Sequence, residues 1–418
     1  MKKPSSASLK KVTAENLTGL GVERLAEILV EVAETRTDLK RRLRMELAAG
    51  LGAEHLVPEI DKRLNAIETS RGEVTWRQKP AFLRDLDAVR GLIANRLGRD
   101  EPPAALERLW RLLATRPQTA RRLRERDDAF DAIYLRAADD LGHLLVQQDA
   151  RLAAEALVEA VVAEPSVWVN WLPTVLASAT TSMAMIALHL ALARNIAAPG
   201  WLVAIRHFAD AAGDVEAYTA TYGSAALATP ATAVEIAKRL TEAGRIEEAG
   251  QALRLAEPNP AGRQGRLAAP DFDWESAWID HLEASGDAAG AQAIRWASFQ
   301  RTLDLGRAKA FTSRLSGFDD VEAEAAAIAY AAYHDDFERA LAFLIAWPAL
   351  PEASAMILER PDDVKLEPER AEAWAGKLRR RFPQAAHILL RRAAAAAFRR
   401  REFKLCDRLT EEADAIGA

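Results

Sequence analysis

Two short apolar patterns separated by a glycine, within residues 231–256, constrain the fold of this chain more than any other feature. In both patterns, apolar residues recur at the spacing that places side chains on one face of an α-helix. The inward positions are Ala233, Ile236, Ala237 and Leu240 in the first helix, and Ala249, Leu253 and Ala256 in the second. Gly244 lies between the two and favours a helix end, since glycine adopts the left-handed conformation at little cost. The pattern predicts an antiparallel helix pair whose apolar face must pack on another such pair.

The same arrangement recurs along the chain. Five other short turns lie between apolar-periodic helices, at residues 148–150, 213–215, 286–288, 334–337 and 401–403. Most of these turns contain an aspartate, whose carboxylate accepts hydrogen bonds from the free N–H groups of the following helix. Their spacing is irregular, unlike that of a strict 34-residue repeat, and loops at 257–270 and 359–368 interrupt the series. We therefore predict an all-α fold, a right-handed α-solenoid of antiparallel, tetratricopeptide-like helix pairs.

The sequence divides into three parts in this interpretation. Residues 1–11 are expected to form a disordered tail, residues 12–100 an N-terminal helical segment, and residues 101–418 the helical array. The border lies at residues 98–103, where one glycine and two prolines interrupt the helical pattern. The N-terminal segment is expected to bury three apolar stripes, formed by Val22, Leu25, Ile28, Leu29 and Val32, by Leu39, Leu43 and Leu47, and by Leu56, Ile60, Leu64 and Ile67.

Charge and cysteine content exclude several classes of protein. The net charge is −5 and the pI is about 5.9, so the whole chain lacks the basic character of a nucleic-acid-binding protein. Cys406 is the only cysteine, which excludes an internal disulfide and a multi-thiolate zinc site. No apolar run follows the N-terminal lysines, as it would in a signal peptide. Polar residues interrupt the most apolar stretch, 183–205, which we interpret as two buried helices. We expect a cytoplasmic protein with no cofactor and no membrane contact.

No residue cluster in the sequence specifies a reaction. The stretch DFDWESAWIDH, residues 271–281, brings carboxylates close to a histidine and could hold a metal ion. The simpler interpretation is that Asp271 or Asp273 caps a helix, as Asp127 or Asp128 does earlier in the chain. None of the seven histidines has a second histidine at the i+4 spacing of a zinc motif.

Tryptophan is the other unusual component of this alanine-rich chain, with ten residues. Two pairs fall at helical spacing, Trp168 with Trp171 and Trp274 with Trp278. These rings could line a peptide groove, because aromatic side chains are frequent anchors of protein interfaces. We favour core packing, in which the rings fill the space left by alanines.

Three stretches of the chain resemble a known family. They are ERLWRLLATRPQTARRLRERDDAFDAIYLRAADDLGHLL at 107–145, DFERALAFLIAWPALPEASAMILER at 336–360, and RRRFPQAAHILLRRAAAAAFRRREFKLCDRL at 379–409. The resemblance is to an uncharacterised family of bacterial all-helical proteins, some of which are labelled as relatives of SWIM zinc-finger proteins. It implies a tetratricopeptide-like array of unknown role. A SWIM finger needs a Cys-x-Cys pair with a later Cys and His, so no zinc function carries over to a chain whose only cysteine is Cys406.

The strongest charge feature is a basic region over residues 365–404. Twelve lysines and arginines and four glutamates give it a local net charge of +8 in an acidic protein. The candidate binding residues are Arg391, Arg392, Arg399, Arg400 and Arg401. An anionic partner would find guanidinium groups there. The alternative is a solvated terminal helix whose arginines pair with acids elsewhere, which is the usual role of a charge run.

Three functions follow from these observations. The leading one is a protein-binding adaptor or scaffold with a protein or peptide partner, because helical arrays present long binding surfaces. The second is an anion or nucleic-acid binder that uses the C-terminal arginines, and salt-dependent affinity would favour it. The third is an enzyme whose site is dispersed among helices, which would require a pocket with several perturbed acids. The chain is predicted not to be an enzyme.

Overall fold

The computed structural model describes residues 12–124, 127–258 and 271–416, and every regular element in these ranges is helical. The prediction of an all-α fold is thereby confirmed. The predicted tail at 1–11 and most of the predicted loop at 257–270 lie outside the described residues. No helix within the described ranges combines the length and apolarity needed to cross a membrane.

The chain folds into two compact units, one up to Tyr222 and one from Gly223 onward. The border predicted at residues 98–103 therefore falls inside the first unit. The reason is that the helix Pro102–Ala114 packs on the helix Ala53–Thr69, which precedes the predicted border. Proline ends a helix at this point without ending the core.

The first unit contains fifteen α-helices within its described residues. They are α1 Ala14–Thr18, α2 Val22–Thr35, α3 Thr37–Leu51, α4 Ala53–Thr69, α5 Lys79–Gly91, α6 Gly98–Asp100, α7 Pro102–Ala114, α8 Arg116–Leu123, α9 Asp128–Leu145, α10 Ala150–Ala163, α11 Pro165–Trp168, α12 Leu172–Leu176, α13 Thr181–Leu192, α14 Trp201–Ala212 and α15 Val215–Ala220. A π-helical segment, Leu92–Leu97, connects α5 to α6. It has no counterpart in the sequence-based prediction.

The three apolar stripes predicted for the N-terminal segment differ in how far the structure buries them. All four predicted residues of α4, from Leu56 to Ile67, are fully buried, which confirms that stripe. The α2 stripe was wrong as a core face, because α2 packs extensively only on α1 and α3, and residues such as Val22 remain exposed. The α3 stripe was wrong at Leu47, which is 70% exposed, because α3 buries the face of Met45 instead.

The second unit contains twelve α-helices within its described residues. They are α16 Ser224–Leu227, α17 Pro230–Glu242, α18 Ile246–Leu255, α19 Phe272–Ala284, α20 Ala288–Thr302, α21 Leu305–Thr312, α22 Asp319–Ala332, α23 Phe337–Ala346, α24 Leu350–Glu359, α25 Pro368–Leu378, α26 Pro383–Arg399 and α27 Phe403–Ile416. Most of these helices pack extensively on the next one or the next but one along the chain. The predicted loop at 359–368 separates α24 from α25 and contains one turn of 3₁₀-helix.

The helix pair predicted from residues 231–256 is confirmed as α17 and α18. Every predicted inward residue is buried, including Leu240 and Leu253. Gly244 has a φ of +75°, the left-handed conformation for which its lack of a Cβ suits it. The next amide, that of Arg245, donates to the carbonyl of Leu240 at 2.8 Å and closes the end of α17.

Aspartate caps recur at helix starts as the sequence predicts. Each caps its helix by accepting a hydrogen bond from a backbone amide of the first turn. The capping residues at predicted positions are Asp127, Asp149, Asp214, Asp271, Asp287 and Asp336. Because these bonds join residues two or three positions apart, local sequence is sufficient to specify them.

The tryptophan pairs lie in the core, which confirms the favoured interpretation. Trp168 and Trp171 are buried with an edge-to-face contact at 5.3 Å between ring centroids. Trp274 is buried and stacks on the half-buried Trp278 at 5.7 Å. Its indole N–H donates to the carbonyl of Leu253 at 3.0 Å, so α19 is fixed to α18.

Candidate functional site

The arginines proposed as a binding cluster separate into two groups on α26 and the following turn. Arg391 pairs with Asp414 of α27 at 3.2 Å, whereas Arg392 pairs with Asp362 in the 3₁₀ turn that follows α24. Two helical turns further along, Arg400 pairs with Glu367. Intramolecular carboxylates therefore engage three of the five candidate residues, as in the solvated-helix alternative.

A basic surface smaller than the predicted five-arginine cluster remains at the turn between α26 and α27. Among the described residues, Arg399, Arg401 and Lys404 have no ion-pair partner, and all three are exposed. The rings of Phe398 and Phe403 lie beside them, 61% and 55% exposed, with an edge-to-face contact at 5.8 Å. We call these five residues the α26–α27 turn surface. Exposed aromatic rings beside free guanidinium groups can hold a partner by stacking and by charge.

An apolar groove crosses the surface of the first unit between α10, α13 and the turn from α14 to α15. We call it the Met185 groove, and its volume is about 880 Å³. Met185 and Leu192 line it and are 57% and 52% exposed, with His189 between them on the same face of α13. The opposite face of α13, which includes Ala184 and Ala187, is buried. Both faces of this helix are therefore apolar, but other residues of the first unit cover only one of them.

Charged residues border the Met185 groove on two sides. On α10, Arg151 and Glu155 form an ion pair at 2.9 Å. Before the start of α15, the capping residue Asp214 accepts from the amide of Ala217 at 2.8 Å, and Glu216 of α15 lines the groove nearby. An apolar surface between charged borders is complementary to an amphipathic helix, whose apolar stripe is flanked by polar residues.

Sequence analysis missed this groove, although a signal was present. The sequence of α13, TSMAMIALHLAL, is apolar around the whole helix. Such a helix is either buried on all sides or covered by a second partner. The prediction for residues 183–205 was a pair of buried helices, whereas the structure leaves the Met185 face of the first one open.

Glu275 and Glu283 of α19 are each in contact with two arginines. Glu275 is buried, accepts from the Ser298 hydroxyl at 2.6 Å and pairs with Arg301. Glu283 accepts from Arg295 at 2.6 Å, and it also pairs with Arg314, which follows α21. The two carboxylates therefore join α19 to the helices that follow it. Sequence analysis named Glu275 only as part of the carboxylate-rich stretch 271–281, and did not predict these ion pairs.

His281 occupies the contact between α18 and α19. Its ring lies over Gly250, where an added Cβ would be 2.4 Å from the ring atoms Cε1 and Nε2. Its Nδ1 atom is buried without a hydrogen-bond partner in the described part of the chain. Burial lowers the pKa of His281, and the positive charge of Arg254 lowers it further. The ring is therefore held neutral in the folded protein at neutral pH.

A cluster of metal-ligating side chains, or a carboxylate with a perturbed pKa, is the kind of feature that would indicate a chemical site. No group of three or more His, Cys, Asp or Glu side chains in the described ranges is placed to hold a metal ion. Burial raises the pKa of Asp140, but this carboxylate is in an ion pair with Arg90. Asp140, the carboxylate whose pKa is raised, therefore has the surroundings of a structural ion pair.

The fold and the Met185 groove define an all-helical protein with an open apolar surface. Comparison with known proteins also identifies the family to which the chain belongs. The chain belongs to a family of unknown function, DUF6880, whose model matches residues 7–167 and 191–405. This agrees with the resemblance to an uncharacterised family, while the relation to SWIM zinc-finger proteins stays a prediction. No match was found among curated proteins or among solved structures.

Proposed function

We propose that this chain is a cytoplasmic protein-binding adaptor or scaffold, built as a right-handed α-solenoid of tetratricopeptide-like helix pairs. The packing of the second unit supports the solenoid, because its helices contact near neighbours along the chain. Repeat arrays are stabilised by such nearest-neighbour interfaces and commonly serve as binding surfaces.

The Met185 groove carries the proposal of protein binding. Large side chains such as Met185 and Leu192 are exposed together there, and contiguous apolar surface of this kind is typical of interaction sites. Methionine adapts its shape to different apolar partners. The occupant that best fits an apolar groove with charged borders is an amphipathic helix of a partner protein.

A peptide selection tests the proposal. Helical peptides displayed on phage are selected against the full chain, then assayed with the Leu192→Asp variant. Peptides with apolar anchors at i, i+3, i+4 and i+7 should be enriched, and Leu192→Asp should abolish their binding. Leu202→Asp is the matched control, because Leu202 is 53% exposed in the same unit but does not line the groove. Peptides that bind both variants as well as they bind the wild type would refute the assignment of this groove.

A second candidate function uses the α26–α27 turn surface to bind an anionic partner, such as a nucleic acid. The observation that favours it is the combination of exposed Phe398 and Phe403 with Arg399 and Arg401. Single-stranded nucleic acids bind surfaces that combine positive charge with rings on which bases stack. The ion pair of Arg400 with Glu367 weighs against it, because it reduces the local positive charge.

A further inference from the structure

A second groove in the first unit has a different chemical character. It lies between α3 and α5 and continues along the π-helical segment, with a volume of about 610 Å³. The polar side chains that line it are those of Arg42, Glu46, Arg84, Asp87, Asn95 and Arg96. A smaller cavity of about 330 Å³ continues the groove toward the start of α3 and shares Arg42 and Arg84. We call the two cavities together the Arg84 groove.

The aspartates along the Arg84 groove are already neutralised by arginines. Their ion pairs are Asp38 with Arg36 at 2.6 Å, Asp85 with Arg63 at 2.6 Å and with Arg41 at 3.4 Å, and Asp87 with Arg90 at 2.8 Å and with Arg136 at 3.1 Å. The hydrogen bond from Arg36 keeps the pKa of Asp38 below its usual value. These carboxylates are therefore already occupied by arginines, and other arginines of the groove are left without partners.

Two guanidinium groups remain available in the groove, one from each wall. Arg84 of α5 has no ion pair or hydrogen bond among the described residues and is exposed. Arg42 of α3 has only a long contact, 3.9 Å from its Nε to Glu46. The amide of Asn95, in the π-helical segment, is exposed and also has no hydrogen-bond partner in the described part of the chain.

We propose that the Arg84 groove binds a small phosphorylated molecule. Arg42 and Arg84 would donate to the phosphate oxygens, with Asn95 as an uncharged donor. Guanidinium groups suit this role because their planar forks match phosphate oxygens and remain charged. The volume of the groove is in the range of small-molecule sites. The π-helical geometry is consistent with the proposal, since π-helical turns within α-helices frequently occur at functional sites.

Isothermal titration calorimetry of the full chain tests the proposal, with pyrophosphate and ATP as probes and citrate as an anion without phosphorus. We expect saturable binding of pyrophosphate at millimolar concentrations or below, and weaker or absent binding of citrate. Tighter binding of ATP than of pyrophosphate would indicate a nucleotide, and equal binding would indicate the phosphate groups alone. Both results support the proposal, whereas no binding of either probe, or citrate binding as tightly as pyrophosphate, overturns it.

Charge-neutralising variants locate the binding in the groove. Arg84→Gln and Arg42→Gln should each weaken binding about tenfold or more, the usual effect of losing a charged hydrogen bond. Glu46→Gln should strengthen it, because it removes the carboxylate that competes with the ligand for Arg42. Arg44→Gln is the control, since Arg44 is exposed on the same helix, has no ion pair among the described residues and does not line the groove.

Two further outcomes would overturn the proposal. Equal weakening by Arg44→Gln and Arg84→Gln would mean that the ligand responds only to net charge. Unchanged affinity in Arg84→Gln, with circular dichroism equal to that of the wild type, would place the ligand elsewhere. Arg84 has no ion pair to lose in the described structure, so we expect this variant to fold normally.

Discussion

Replacement of Gly142 by alanine should destabilise the first unit, although alanine is the better helix former. Gly142 lies in α9 where that helix meets α12, and an added Cβ would be 2.6 Å from the carbonyl oxygen of Val175. The same Cβ would be 3.2 Å from the Cα and carbonyl carbon of Val175. Normal separations of non-bonded heavy atoms are about 3.5 Å or more, so the two helices would have to separate by about 1 Å.

The expected size of this effect follows from two opposing contributions. Overpacking of a core costs about 1–3 kcal/mol, and the upper part of that range applies because the contact is with backbone, which cannot change rotamer. The buried Leu141 and Leu172 on either side prevent an easy shift. The higher helix propensity of alanine offsets about 1 kcal/mol of this cost. We expect a net loss of about 1–2 kcal/mol in the free energy of unfolding.

Urea unfolding of the full chain, followed by far-ultraviolet circular dichroism, measures this loss. Gly50→Ala is the matched control in the same unit, because no heavy atom lies within 4 Å of its added Cβ and it should gain up to about 1 kcal/mol. If Gly142→Ala were as stable as the wild type or as Gly50→Ala, the close approach of α9 and α12 would be disproved.

Three further predictions concern the second unit. Leu240→Ala should lower the free energy of unfolding by about 2–5 kcal/mol through loss of buried contacts, and a loss under about 0.5 kcal/mol in urea unfolding would mean that this face is wrongly assigned. The pKa of His281 is lower in the folded protein than its unfolded value of 6.5. The contribution of the neutral ring to the free energy of unfolding should therefore be fully present above pH 6.5 and should decrease as the pH falls below it. A His281→Asn variant with an unchanged pH slope of the urea midpoint would contradict this. Replacing Arg399, Arg400 and Arg401 by glutamine should leave the melting temperature nearly unchanged, because exposed ion pairs contribute little. A decrease of several degrees would show that these arginines are structural.

The sequence predicts those features of the fold that depend on residues close together in the chain. The capping by Asp287 and the turn at Gly244 were predictable because their hydrogen bonds join near neighbours. Periodicity also identified the apolar faces of α2 and α4, but it does not specify which helix covers a face. The face of Leu56 is buried, in a helix that packs on α3, on the π-helical segment and on α7, whereas the similar face of Val22 is exposed.

The candidate sites depend on contacts between distant residues, which a single sequence does not contain. The charge of the C-terminal region was evident, but the partner of Arg392 lies 30 positions earlier in the chain. The bond between Ser298 and Glu275 likewise spans 23 positions. The all-round apolarity of α13 signals that one of its faces could be open, but which face the fold leaves uncovered, like the lack of a partner for Arg84, depends on where the helices pack.

The packing of the second unit also bears on how the chain folds during its synthesis. Since most helices of this unit pack extensively on the next one or two helices, the loops that this packing closes are short. Contacts of short sequence separation form fast, and ribosomes add about 5–20 residues per second. A pair such as α17 and α18 should therefore be docked before the following pair has been translated. Newly made chains of this unit should expose little apolar surface at any time, and should reach the folded state with little help from chaperones.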